Sequence, residues 1–84
     1  MNQRHKKTLE TIFRKPEPAS LNWNDIEKLF RVLGGVVSER EGSRVAVLIN
    51  GRVAVFHRPH PRKETDKGAV KSVRKFLENA GVKP

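Results

Sequence analysis

The stretch RVAVLINGRVAVF, from Arg44 to Phe56, constrains the fold more than any other part of the chain. Two runs rich in β-branched residues flank one Asn-Gly pair, Asn50-Gly51. A tight two-residue turn needs positive φ at its central positions, which Asn and Gly tolerate best, so an antiparallel hairpin is expected. Such a turn also sets the register. Ile49 faces Arg52, Leu48 faces Val53, Val47 faces Ala54, Ala46 faces Val55, Val45 faces Phe56, and Arg44 faces His57. Directly opposed residues share one face of a sheet, with Cβ atoms about 4.5–5.5 Å apart. An unbulged hairpin therefore sets a guanidinium beside an imidazole at its open end.

On either side of the hairpin the apolar period lengthens. In NWNDIEKLFRVLGG, Trp23, Ile26, Leu29, Phe30 and Leu33 form one helical face. Asn22 or Asn24 can cap its start, Asp25 and Glu27 lie near its positive end, and Gly34-Gly35 stop it. VVSERE then reads as an edge strand, turned into the hairpin at Gly42-Ser43. Downstream, Val70, Val73, Phe76, Leu77 and Ala80 line the inner face of a second helix that Gly81 ends. Ahead of these elements, HKKTLETIFRK spaces Leu9, Ile12 and Phe13 as a short amphipathic helix running to Lys15. The prolines of PEPAS break it and read as a linker. This first helix either packs on the domain or extends as a basic arm. The expected class is α+β, in the order α-β-β-β-α with a three-stranded antiparallel sheet and an additional N-terminal helix.

Charge narrows the range of partners. Eighteen Lys and Arg against nine Asp and Glu leave a formal charge of +9 on 84 residues. Such a surface attracts polyanions, of which nucleic acid is the commonest, although an acidic partner protein fits it too. The length favours one domain. The absence of cysteine excludes disulfides and thiolate metal sites, and fits a reducing compartment. No apolar run approaches the roughly 18 residues of a membrane span, and MNQRHKKTLETIF lacks a signal peptide's apolar centre. A cytoplasmic protein with no membrane partner is expected. DNA is disfavoured, because three strands separate the helices that a helix-turn-helix would pair. One Trp and four Phe, mostly at core spacings, supply no platform for stacking single-stranded bases.

The open end of the hairpin carries the chemistry. RNA transesterification needs a base for the 2′-hydroxyl proton, an acid for the leaving oxygen, and positive charge for the phosphorane. Histidine, with an ordinary pKa near 6.5, serves either proton role at neutral pH. Arginine offers a planar cationic fork for phosphate. His57 and His60 are the candidate catalytic residues, although His57 can also be a plain strand end and His60, between Pro59 and Pro61, a solvent-facing loop residue. Neither role requires a metal or a cofactor. Lys67, Lys71 and Arg74, spaced four and three apart, form one stripe on the last helix that can follow phosphates. The helix start near Gly68 adds backbone donors for an anion.

Three segments together carry a family resemblance. LNWNDIEKLFRVLGG is a helix ending in glycine, EGSR turns between the first two strands, and HRPHPRKETDKGAVKSVRKFLENAGV joins proline, histidine and basic residues to a closing helix. In that order, from Leu21 to Val82, they resemble the HicA toxin family, small RNA-cleaving toxins paired with HicB antitoxins. The resemblance implies a double-stranded-RNA-binding-like fold, with two helices on one face of the sheet. It implies ribosome-independent cleavage of mRNA by an endoribonuclease, or mRNA interferase, and an antitoxin that covers the active site. It divides the chain into a basic helix and linker over residues 1–20 and a HicA-like RNA-binding domain over residues 21–84. The candidate RNA-binding set is Gly42, Ser43, Arg44, Arg58, Arg62, Lys63, Lys67, Lys71 and Arg74.

One departure matters. The family's catalytic histidine closes a Gly-Ser-His motif, whereas Gly42-Ser43 is followed here by Arg44. Arginine is not a general base at neutral pH. Three functions stay open: a ribonuclease whose proton chemistry has moved to His57 or His60, an RNA-binding module without cleavage, and a protein whose basic face meets only its antitoxin.

Overall fold

Three short polar side chains start the three helices of the described residues. Asn2, Asn22 and Asp66 each accept a backbone N–H of a first helical turn, from His5 at 2.9 Å, Asn24 at 2.8 Å and Ala69 at 2.7 Å. Each satisfies a donor that the helix itself leaves unpaired. The structure, a computed structural model, describes residues 1–18 and 20–84. In chain order the elements are α1 (Gln3–Ile12), β1 (Leu21–Asn22), α2 (Trp23–Val32), β2 (Val36–Glu39), β3 (Arg44–Ile49), β4 (Arg52–His57), β5 (Glu64–Thr65) and α3 (Lys67–Asn79).

The expected α-β-β-β-α order is present, with α1 in front and β2-β3-β4 as one antiparallel sheet. This is the double-stranded-RNA-binding-like arrangement. Asn50 and Gly51 both have positive φ, 50° and 78°, as a turn that follows the strand twist requires. The register from Ile49↔Arg52 to Arg44↔His57 is the one expected from the turn. Asn50 has a second role, donating from Nδ2 to the Ala80 carbonyl at 2.9 Å and so tying the hairpin tip to the end of α3.

Alternation along the strands separates two faces. Val45, Val47, Ile49 and Phe56 point inward and are buried. Trp23, Ile26, Leu29 and Phe30 from α2 meet them, as do Val73, Phe76 and Leu77 from α3. At the centre Phe56 stacks on Phe30, with centroids 5.8 Å apart, and meets Phe76 edge-on at 5.8 Å. Leu33, expected on the α2 core face, is half-buried at its C-cap. Gly35 lets the chain turn tightly out of α2. A Cβ there would lie 2.6 Å from the Phe30 carbonyl oxygen and 2.8 Å from Ile49 Cγ1.

Two features differ from expectation, and a third settles an alternative that the sequence leaves open. A second, two-stranded ribbon pairs β1 with β5 through Leu21↔Thr65 and Asn22↔Glu64. Runs of two residues carry no alternation to read. The first helix ends at Ile12 rather than Lys15, with Phe13 as its C-cap. That helix also packs on the domain: Leu9 and Ile12 are buried in the common core. Arg4 fixes it to the start of α2 by donating from Nε and Nη2 to Asp25 Oδ1, at 3.2 and 2.9 Å. The expected linker over residues 16–20 includes Ala19, which lies outside the described residues.

Candidate nucleic-acid interface

The open end of the β3–β4 hairpin and the loop after β4 lie against the start of α2. Arg58 N–H donates to the Ser43 carbonyl at 2.8 Å, which carries the ladder one step past the Arg44↔His57 pair. No bulge separates Arg44 from His57, and both are exposed. Their side chains therefore stand together on the outer face of the sheet.

Two clefts flank this end, sharing Trp23 as a wall. One, of about 410 Å³, is lined by Gly42, Ser43, His60 and Lys63 together with Glu27 and Arg58. The other, of about 420 Å³, runs between β4 and α3 and is lined by His57, Val55, Asp66 and Ser72. The two candidate histidines thus front different clefts. Ser43, His60 and Lys63 belong to one, and His57 with Arg44 to the neighbouring surface. Arg62 is exposed on the same loop, and Lys67 and Lys71 are exposed on α3.

Arg58 is placed differently from its neighbours. Its Nε donates to Glu27 Oε2 at 2.7 Å and its Nη2 to Glu27 Oε1 at 3.1 Å. On the other side Nη1 and Nη2 reach Glu39 at 2.7 and 2.8 Å. Trp23 Nε1 donates to the same Glu27 carboxylate. Burial pushes the Glu27 carboxyl up, but the hydrogen bonds from Arg58 and Trp23 overcome this and hold it below the ordinary range. Glu39 is also held low by its hydrogen bonds from Arg58. The guanidinium is held in its charged form in turn, through its bonds to Glu27 and Glu39. Phosphate would have to displace two carboxylates to reach it. Arg58, expected among the RNA-contacting residues, is in this structure a brace for the loop that carries Pro59 and His60.

Arg74 is also engaged within the protein. Its spacing predicts a place on the polar stripe with Lys67 and Lys71, but it is only 6% exposed and donates from Nη2 to Glu17. That bond lowers the Glu17 pKa. The spacing gives the correct helix angle, but the acceptor comes from the segment after α1, 57 residues earlier. The α3 N-terminus is likewise occupied: Asp66 caps it by accepting the Ala69 N–H, so the protein's own carboxylate takes a donor expected to serve an external anion. Sequence reasoning missed Glu27 and Glu39 as organisers of this end. The Trp23–Glu27 spacing of four on α2 was the one available local signal.

A helix–sheet domain of the double-stranded-RNA-binding type, with a cationic loop end, is the class that this arrangement defines. The chain belongs to the HicA toxin family: residues 23–82 match the family described as HicA toxin of bacterial toxin-antitoxin. Comparison with curated proteins and with solved structures gave no match. The family match begins at Trp23, so α1 and its core residues Leu9 and Ile12 precede it. No helix among the described residues is long and apolar enough to cross a membrane.

Proposed function

We propose that this toxin binds mRNA at the open end of the β3–β4 hairpin, cleaves it by transesterification in the cytoplasm, and is neutralised by a HicB-type antitoxin. The observation that carries the reading is the direct pairing of Arg44 with His57. Neutral His57 takes the proton from a ribose 2′-hydroxyl, whose oxygen attacks the adjacent phosphorus. The bond to the 5′-oxygen breaks, and that oxygen receives a proton from water, while the proton that His57 took passes to solvent. The products are a 2′,3′-cyclic phosphate and a 5′-hydroxyl. Arg44 holds the non-bridging oxygens as negative charge grows on them. Gly42, Ser43, Lys63 and Arg62 position the backbone on the loop side, and exposed Lys67 and Lys71 extend the binding surface along α3.

A second reading, binding without cleavage, is favoured by Arg44 itself, which stands where the HicA resemblance implies the catalytic histidine. The two are separated by RNA cleavage in EDTA with wild type, His57→Ala, His60→Ala and Arg44→Ala. The first reading expects cyclic-phosphate ends from wild type and none from a folded His57→Ala protein. Cleavage that survives His57→Ala but fails in His60→Ala moves the proton chemistry to the loop cleft. Wild type that binds RNA and never cuts it establishes the second reading.

A further inference from the structure

The cleft on the loop side of the hairpin's open end is built from parts that are fastened to one another. It encloses about 410 Å³ between the start of α2, the β2–β3 turn and the loop after β4. The Trp23 N–H donates to the Lys63 carbonyl at 2.8 Å, which ties that loop to α2. The Arg58 N–H donates to the Ser43 carbonyl and its guanidinium holds Glu27, so the turn and α2 are tied to the same loop. The three walls therefore keep their spacing without a ligand, and the volume falls in the range of small-ligand sites.

The polar groups inside it divide into two kinds. Glu27 is saturated, accepting from Arg58 and from Trp23 Nε1. Asn24 is the opposite case: it is exposed, its backbone N–H donates to Asn22 Oδ1, and its side-chain amide has no hydrogen-bond partner among the described residues. An amide offers a donor beside an acceptor, the pattern that matches the edge of a base. A phosphate in this cleft would be set against the Glu27 carboxylate, whereas a neutral base would not. Trp23, only 2% exposed, and Pro59 line the cleft as apolar walls rather than as an open stacking face.

The cleft also adjoins the Arg44–His57 pair. Ser43 precedes Arg44 and Arg58 follows His57, so the cleft mouth lies one strand residue, about 3.3 Å, beyond that pair. Successive residues of a strand point to opposite faces, so RNA held at Arg44 meets the cleft by turning around the end of the hairpin. Only an unpaired base is free to make that turn and to present its edge. We propose that this cleft takes one unpaired nucleobase next to the phosphate held at Arg44, with Asn24 reading its edge, so that the RNA must be single-stranded at that position. The inference rests on the RNA binding proposed above and adds its specificity element.

The test uses 2′-O-methyl RNA hexamers, which lack the attacking hydroxyl, so that binding is read without cleavage. One hexamer is abasic throughout, and four others each carry a single A, C, G or U among abasic positions. Fluorescence anisotropy gives affinities for wild type, Asn24→Ala and Asn79→Ala. Asn79 is exposed at the far end of α3, beside the hairpin tip that Asn50 joins to Ala80. Wild type and Asn79→Ala are expected to bind one or more single-base hexamers at least about fivefold more tightly than the abasic one, the lower end for a base-edge pair. Asn24→Ala loses most of that preference and keeps its affinity for the abasic hexamer. Equal affinity of wild type for all five oligomers, or an unchanged preference in Asn24→Ala, overturns the proposal. An equal loss for abasic and single-base hexamers in Asn24→Ala assigns the residue to the backbone and overturns it too. Wild type that binds none of the oligomers sinks it together with RNA binding. Base-dependent binding by a protein that never cuts unmodified RNA leaves the proposal standing and removes only the cleavage step.

Discussion

Arg58 grips Glu27 with two hydrogen bonds, Nε to Oε2 at 2.7 Å and Nη2 to Oε1 at 3.1 Å. The pair joins the residue that follows β4 to the first turns of α2, and so fixes the direction in which the Pro59-His60 loop leaves the sheet. Glu27 is 6% exposed, so removing Arg58 leaves a nearly buried carboxylate with only the Trp23 N–H and the more distant Arg31, at 3.7 Å, to compensate it. Arg58→Ala is therefore expected to cost about 3 kcal/mol of stability, the lower end for a broken buried pair because the guanidinium is partly wet. Arg58→Lys keeps the charge but loses the fork, and recovers only part of that. Urea unfolding measures both. A neutral Arg58→Ala would show that the bridge does not organise the loop.

Acid should weaken the protein through three carboxylates. Glu17, Glu27 and Glu39 all have folded pKa values below the ordinary 4.5. A depressed carboxylate contributes its full stabilisation above the unfolded pKa and loses it as pH falls through the folded one. Stability is thus expected to hold from neutral pH to about 4.5 and to fall below that. Replacing Glu39 with Gln should flatten this acid limb while lowering the neutral-pH plateau. Thermal melts between about pH 2 and 7 would show it; an unchanged limb in Glu39→Gln contradicts the assignment.

Gly35 has no room for a side chain. A methyl group at this position meets Phe30 backbone and Ile49 together. Gly35→Ala should destabilise by about 1–3 kcal/mol, as overpacking does. Gly34, with φ of 85° and open space around it, would instead be strained through its backbone. Denaturant midpoints of the two alanine variants, each with an unchanged m-value, are the check.

The helix outside the family match is part of the folding unit. Ile12 is fully buried among core residues of the domain. Ile12→Ala should cost about 2–5 kcal/mol, as for other buried aliphatic truncations. If α1 were a dispensable arm, the variant would melt with wild type.

RNA affinity should distinguish the exposed lysines from the buried arginine on α3. Binding releases counterions from the phosphates that a protein neutralises, so removing one cation from the interface makes the slope of log K against log salt shallower by roughly 0.7–0.9. Lys67→Ala and Lys71→Ala are each expected to do this with little change in stability. Arg74→Ala should leave the slope alone and lower the melting temperature, since its partner is Glu17. A shallower slope in Arg74→Ala would restore it to the binding surface.

The local rules of the chain determined much of this architecture. The Asn50-Gly51 turn and the two-residue period of its strands were enough to place Arg44 opposite His57, because a short turn leaves no freedom of register. The inner faces of α2 and α3 followed from spacing in the same way, with Trp23, Ile26, Val70, Val73 and Leu77 all buried. Periodicity states which way a side chain points, but not what arrives to meet it. Glu27 reaches Arg58 across 31 residues, Glu39 reaches it across 19, and Glu17 reaches Arg74 across 57. Those pairings decided which cations are engaged internally and which remain exposed. They also pair two expected phosphate ligands, Arg58 and Arg74, with glutamates of the protein itself. The docking of α1 and the pairing of Leu21 with Thr65 were decided the same way. Tertiary structure alone settles such pairings, because their free energy comes from groups that become neighbours only when the chain has closed on its core.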